Sequence, residues 1–220
     1  MDASALIVEW KRRLVAMAES PPYVFRDTPP ELIDAHRRRV TTFAGFAEEE
    51  VADAEARLGV CFPAVFRAWL REMARRPGEL FRGSDLAGVA DFERFRAGAL
   101  EMLADLDPPP SLPPDAVVFL AHQGYTFLYL LAAGGFDGPV MQWMEGRAEP
   151  EQVAATFAAM VDAELRLMER GHAAFREQGG YHLTLHADGG STTTYPALAS
   201  GDRPLERVAP AKRWWQFWRS

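Results

Sequence analysis

Two histidines, His182 and His186, are the first residues of this 220-residue chain whose type and spacing could do chemistry. On a helix, His-x-x-x-His would clamp one divalent metal ion. Thr184 between them and Asp188-Gly189-Gly190 after them point instead to a strand and a turn. On a strand the two imidazoles stand about 13 Å apart at about 3.3 Å per residue, and one ion cannot bridge that. No metal site is expected. His122 lies at a turn formed by Gln123-Gly124, where a hydrogen-bonded structural histidine is favoured over a general base. Asp188-Gly189-Gly190 is a tight turn without the strand-to-helix context of a phosphate loop. Cys61 is the single cysteine, which excludes an intramolecular disulfide and a multi-cysteine zinc site. Lying between Val60 and Phe62, it reads as a small buried hydrophobe. No Ser or Cys sits in a nucleophile elbow. The reading is a protein with no catalytic residue, no cofactor and no small-molecule substrate, and so not an enzyme.

Charge says more. The net charge of −7 conceals a split. From Phe46 to Leu165 there are 20 Asp/Glu against 9 Arg and no Lys, a net of −11, while the flanks carry 11 acids and 15 bases, a net of +4. An acidic centre argues against nucleic acid, whose binding needs cations to displace counterions. It suits a basic protein partner, since complementary fields speed encounter and disfavour wrong partners. Each acidic cluster, Glu48-Glu49-Glu50 included, can equally be a solvated face.

The elements that would position such surfaces follow from periodicity. Ala3 to Ala18 reads as a helix with Leu6, Trp10, Leu14 and Met17 on one face. Tyr23 to Asp27 is extended between Pro21-Pro22 and Pro29-Pro30, and a second helix runs from Glu31 to about Val40. Arg37-Arg38-Arg39 lies in its last turn, where the helix dipole favours cations. Val51, Ala54 and Leu58 make the stripe of a third helix, which Gly59 can end in a left-handed conformation. Pro63 opens a fourth, with Phe66, Trp69, Leu70 and Met73 on one side. Asp91 to Leu106 is another helix, followed by a proline-rich connector to Pro114. Val117–Ala121, Tyr125–Leu131 and Val140–Met144 are strands joined too closely for crossover helices, so they should be antiparallel. Tyr125–Leu131 is apolar on both faces and should be central. A helix over Glu151–Phe175 and a hairpin of Tyr181–His186 with Thr192–Tyr195 complete the chain. Strands grouped between helices indicate an α+β fold.

The order of these pieces resembles that of the SUKH superfamily, the SMI/KNR-type domain. The acidic helix, Leu58-Gly59-x-x-Phe62-Pro63 and the aromatic helix are similar to its opening signature. Glu79-Leu80-Phe81-Arg82-Gly83 resembles its aromatic-plus-glycine turn, and Val117 to Tyr129 its central hairpin. Asp137-Gly138-Pro139-Val140 resembles the lead-in to the following strand, which ends at Glu145-Gly146, and Phe157 to Leu165 the closing helix. The resemblance spans about Phe46 to Leu165. It implies an antiparallel or mixed sheet of about five or six strands, with helices mainly on one face. It also implies a non-enzymatic protein-binding module, a bacterial immunity protein that binds and neutralises a toxin domain. The domain expectation is a helical extension over residues 1–45, the SUKH-like domain over 46–200 and a basic, aromatic tail over 201–220.

The partner is expected at the open face and rim of the sheet, at His122, Gln123, Trp143 and Glu145. Met141, Trp143 and Glu145 share one strand face; the alternative is that Met141 and Trp143 are ordinary core. The tail Lys212-Arg213-Trp214-Trp215-Gln216-Phe217-Trp218-Arg219-Ser220 adds Trp214, Trp215 and Trp218. These could enter a partner's groove, contact a membrane headgroup zone peripherally, or pack back on their own domain. The second functional reading is accordingly a peripheral membrane or assembly adaptor. The N-terminal residues lack a signal-peptide layout and no run is long enough to span a bilayer, so a cytoplasmic location is the expectation.

Overall fold

The computed structural model describes residues 2–194. They divide into two compact units, residues 2–11 with 43–162 and residues 12–42 with 163–194. Helices α1 (Ala3–Glu19) and α6 (Phe157–Glu177) each begin in the first unit and end in the second. The fold is α+β, as the sequence pattern and the resemblance implied.

In the first unit, α3 (Glu48–Leu58) buries Val51 and Ala54. Gly59 ends it with φ of 65°, a conformation that costs glycine nothing. The elbow beyond it is held by Glu55, whose Oε1 accepts a 2.7 Å hydrogen bond from the Phe62 amide. Helix α4 (Ala64–Glu72) then starts directly after Pro63. Phe66, Trp69, Leu70 and Met73 are all at 0% exposure, as their spacing required. Cys61 is exposed, against expectation. It forms an isolated parallel bridge to Ala133, and the bond from the Gly134 amide to the Cys61 carbonyl is backbone-only, so its side chain is left outside the core.

The sheet of this unit has the order β2 (Asp85–Leu86), β3 (Ala116–His122), β4 (Thr126–Leu131), β5 (Val140–Met144), β6 (Glu151–Ala154), every pair antiparallel. The strand predicted to be central is the middle one. Residues 151–154 were expected to be helical. They pair instead with β5, and α6 begins at Phe157, where Asp137 and Thr156 satisfy its first amides. Thr156 is the local cap, its hydroxyl accepting from the Ala159 amide, and it marks a start at Phe157; the rest of the cap, from Asp137, comes from a distant loop.

Both faces of the sheet are covered. An extra residue in β3, between Val118 and Leu120, interrupts the register with β4. At that position Phe119 meets Phe66 and Phe157 at ring separations of 5.7 and 5.6 Å, and Trp69 meets Phe157 at 5.3 Å. Trp10 of α1 adds an edge-on contact with Phe157 and donates to Asp162. Its buried stripe is Ala3, Ile7, Trp10, Leu14 and Met17, so Ile7 takes the inward position expected of Leu6. On the other face, α5 (Phe92–Ala104) packs Ala99 and Leu103 against Val118, Phe127, Tyr129 and Trp143. Arg96 on α5 fastens the proline-rich connector by donating to the carbonyls of Leu112, Pro113 and Ala116.

The second unit holds α2 (Pro30–Thr41) and a mixed sheet, in which β1 (Tyr23–Phe25) runs parallel to β7 (Tyr181–Leu185) and β7 pairs with β8 (Ser191–Thr194). The expected hairpin is present. Buried His36 accepts from Arg39 at Nδ1 and shares a 2.7 Å hydrogen bond with the Tyr23 hydroxyl through Nε2. Arg13 and Glu169 form a two-pronged ion pair, with both contacts at 2.7 Å.

Candidate functional site

The first unit brings the chemistry-bearing residues of the sheet to one end. His122 closes β3, Gln123 and Gly124 turn with φ of 49° and 73°, and β4 starts at Thr126. Opposite, the Glu145 amide donates to the Tyr125 carbonyl at 2.8 Å, so Gln123 and Glu145 share one rim. Both are exposed. Asp85 pairs in register with Ala121, which places the edge strand β2 at this same end.

Two of the expected contact residues are not available there. Trp143 is 4% exposed: it stacks on Phe127 at 5.6 Å, lies in the cluster beneath α5 and donates its indole N–H to the Arg147 carbonyl. The face carrying Met141 and Trp143 is therefore not open. Helix α5 covers it, which periodicity could not reveal because a helix's stripe does not name the surface it will meet. His122 is 2% exposed, with Nδ1 3.1 Å from the Ser84 hydroxyl and its ring edge-on to Tyr125. It holds the turn that presents Gln123. Below the rim, the Thr126 hydroxyl donates to the Trp143 carbonyl and accepts from Gln142 Nε2 at 3.1 Å, tying β4 to β5 where they are both buried. Trp214, Trp215 and Trp218 lie outside the described residues.

The electrostatics sort the acids into two groups. Glu48 bonds Arg67 and Arg71, Glu55 bonds Arg67, and Glu50 bonds Arg75. Arg67, Arg71 and Arg75 recur every four residues, so one row of guanidinium groups takes up Glu48, Glu50 and Glu55 of α3. The hydrogen bond from Arg67 holds the Glu48 carboxyl below the usual carboxylate range, and that from Arg57 does the same for Glu93. The Glu48-Glu49-Glu50 cluster is thus largely an internal brace. At the rim the balance is different. The carboxylates of Asp85, Glu145, Glu149 and Glu151 engage no described side chain, and Glu145, Glu149 and Glu151 are exposed along the β5–β6 turn.

Beside the rim a groove of about 550 Å³ opens between α5 and the edge of the sheet, lined by Asp85, Arg94, Phe95, Gly98, Met102 and Phe127 among others. The sequence contained α5 but not its neighbours, so this groove was not legible in it. Among the described residues, no three His, Cys, Asp or Glu side chains converge on a metal position, and no helix is long and apolar enough to cross a membrane. His182 lies in β7 and His186 beyond its end, where its Nε2 meets the Thr192 hydroxyl at 2.8 Å.

Fold and rim together define an α+β module that offers an acidic edge. The model of the SMI1 / KNR4 family (SUKH-1) matches residues 45–163, more than half of the chain. The chain belongs to that family, and the matched segment coincides almost residue for residue with the continuous part of the first unit. No curated protein matches the chain.

Proposed function

We propose that this chain is a protein-binding module that binds and neutralises a basic toxin domain through the acidic rim of its first unit. The observation that supports this most directly is the unequal use of charge. The row Arg67, Arg71 and Arg75 is consumed inside the unit, while Asp85, Glu145, Glu149 and Glu151, around one end of the sheet, meet no described side chain through their carboxylates. Carboxylates held on a rigid turn and facing solvent raise the encounter rate with a cationic surface and reject an anionic one. Family membership supports a protein partner in general, and the toxin is the finer step of the proposal.

The test is co-expression with a basic toxin domain encoded beside this chain's gene. Growth should be restored by the native chain and lost with the double variant Glu145→Lys, Glu149→Lys, whose melting temperature should match that of the native chain. Protection by that double variant equal to the native chain's would remove the rim from the interface. Absence of protection by the native chain would remove the immunity role.

A further inference from the structure

Gly98 has no structural explanation in its own helix. It sits in the interior of α5, where glycine costs about 0.8–1 kcal/mol relative to alanine. Its packing does not demand glycine either, because a Cβ built there would meet no atom within 4 Å. What the missing side chain does is leave open the groove of about 550 Å³ beside the sheet. Ala99 and Phe127 are buried at its floor, Phe95 and Met102 are half-buried along its wall, and Asp85 and Arg94 stand exposed at its mouth.

The two charges at the mouth differ in commitment. Arg94 is held by Asp91 at 3.0 Å and lies over the Phe95 ring at 5.1 Å. The carboxylate of Asp85 engages no described side chain. Asp85 also belongs to β2, which is at the end of the strand order and, among the described residues, is paired on one side only, to β3. A strand edge that no described strand covers, a carboxylate that no described side chain meets and a groove of mixed polar and apolar lining therefore lie side by side.

We propose that this groove receives an extended, basic segment of a protein partner. The segment adds as a strand to that edge of β2, pairs a lysine or arginine with Asp85 and seats an aliphatic side chain over Gly98. Main-chain bonds at an edge supply affinity and the pocket for an alternate side chain supplies selectivity. The cationic character follows from the net of −11 between Phe46 and Leu165. This inference rests on the protein-binding reading above and specifies where and what kind of segment is bound.

The probe is an acetylated, amidated pentapeptide of alternating lysine and aliphatic residues (Lys-Leu-Lys-Val-Lys), titrated into the isotope-labelled full chain and followed by amide chemical shifts. Shifts should concentrate at residues 84–87 and 94–102, weaken as salt is raised, and be absent with the glutamate counterpart of the peptide. Asp85→Asn and Gly98→Leu should each weaken binding at least tenfold. Gly98→Leu should melt no lower than the native chain, since it exchanges a helix-interior glycine for a good helix former in open space. Undiminished binding by Gly98→Leu, no binding of the basic peptide, or equal binding of the acidic one would each overturn the groove. Shifts confined to the Gln123–Glu145 rim would also overturn it while leaving the protein-binding reading standing. Groove binding with no toxin protection would retain the groove and sink the immunity role.

Discussion

Removing the carboxylate of Asp137 should detach the start of α6 from the sheet. Asp137 lies in the β4–β5 loop, yet its Oδ1 accepts from the Phe157 amide at 3.0 Å and from the Gly138 amide at 2.8 Å, while Oδ2 accepts from the Ala158 amide at 3.1 Å. The side chain is thus a helix cap delivered from 20 residues away. Phe157 itself is at 0% exposure and touches Trp10, Phe66, Trp69 and Phe119. In Asp137→Ala two amides of the first helical turn lose a charged acceptor where water has little access. A lost cap costs about 0.5–2 kcal/mol, and a hydrogen bond to a charged group contributes about 1.5–3. The favourable carboxylate–dipole contact adds about 0.3–1 kcal/mol. These overlap, so the expected loss is about 2–4 kcal/mol. Asp137→Asn keeps one acceptor and loses the charge, and should fall about midway. Urea unfolding followed by near-UV circular dichroism reads the aromatic packing around Phe157 directly. A loss below about 0.5 kcal/mol for Asp137→Ala would refute the claim that this carboxylate joins helix to sheet.

Arg67→Met should destabilise the first unit at neutral pH, and the deficit should shrink at about pH 3. The Glu48 carboxyl is depressed in the folded state by its hydrogen bond to Arg67, so its contribution is present above the ordinary carboxylate range and disappears as pH falls through its folded value. Urea midpoints at the two pH values check this, and raised salt should narrow the gap because solvent reaches part of the pair. Gly45→Ala should cost about 3 kcal/mol or more, since a Cβ there would lie 1.9 Å from the Arg71 carbonyl oxygen; the melting temperature reads it. Trp143→Ala should cost about 3–5 kcal/mol as a buried truncation. Glu145→Lys, fully at the rim, should stay within about 0.5 kcal/mol of the native chain in the same unfolding assay.

Most local elements and their order are legible in neighbouring residues, the short edge strands β2 and β6 excepted. Gly59, Pro63 and the spacing of Phe66, Trp69, Leu70 and Met73 dictate a helix, an elbow and a second helix wherever they are placed, because backbone conformation and periodicity are properties of neighbouring residues. The same holds for β4, whose two apolar faces require a layer on each side and so a central position. Contacts between distant residues were decided only by the tertiary structure. That α5 lies over Trp143, that Asp137 caps α6, and that residues 151–154 become an edge strand rather than a first helical turn all depend on which surfaces meet. Charge followed the same division. The net of −11 could be counted from the residues. Which acids are spent on Arg67, Arg71 and Arg75 and which remain at the rim is fixed by helix α4 packing beside α3, since a carboxylate's availability depends on the cation within reach, not on its place in the chain.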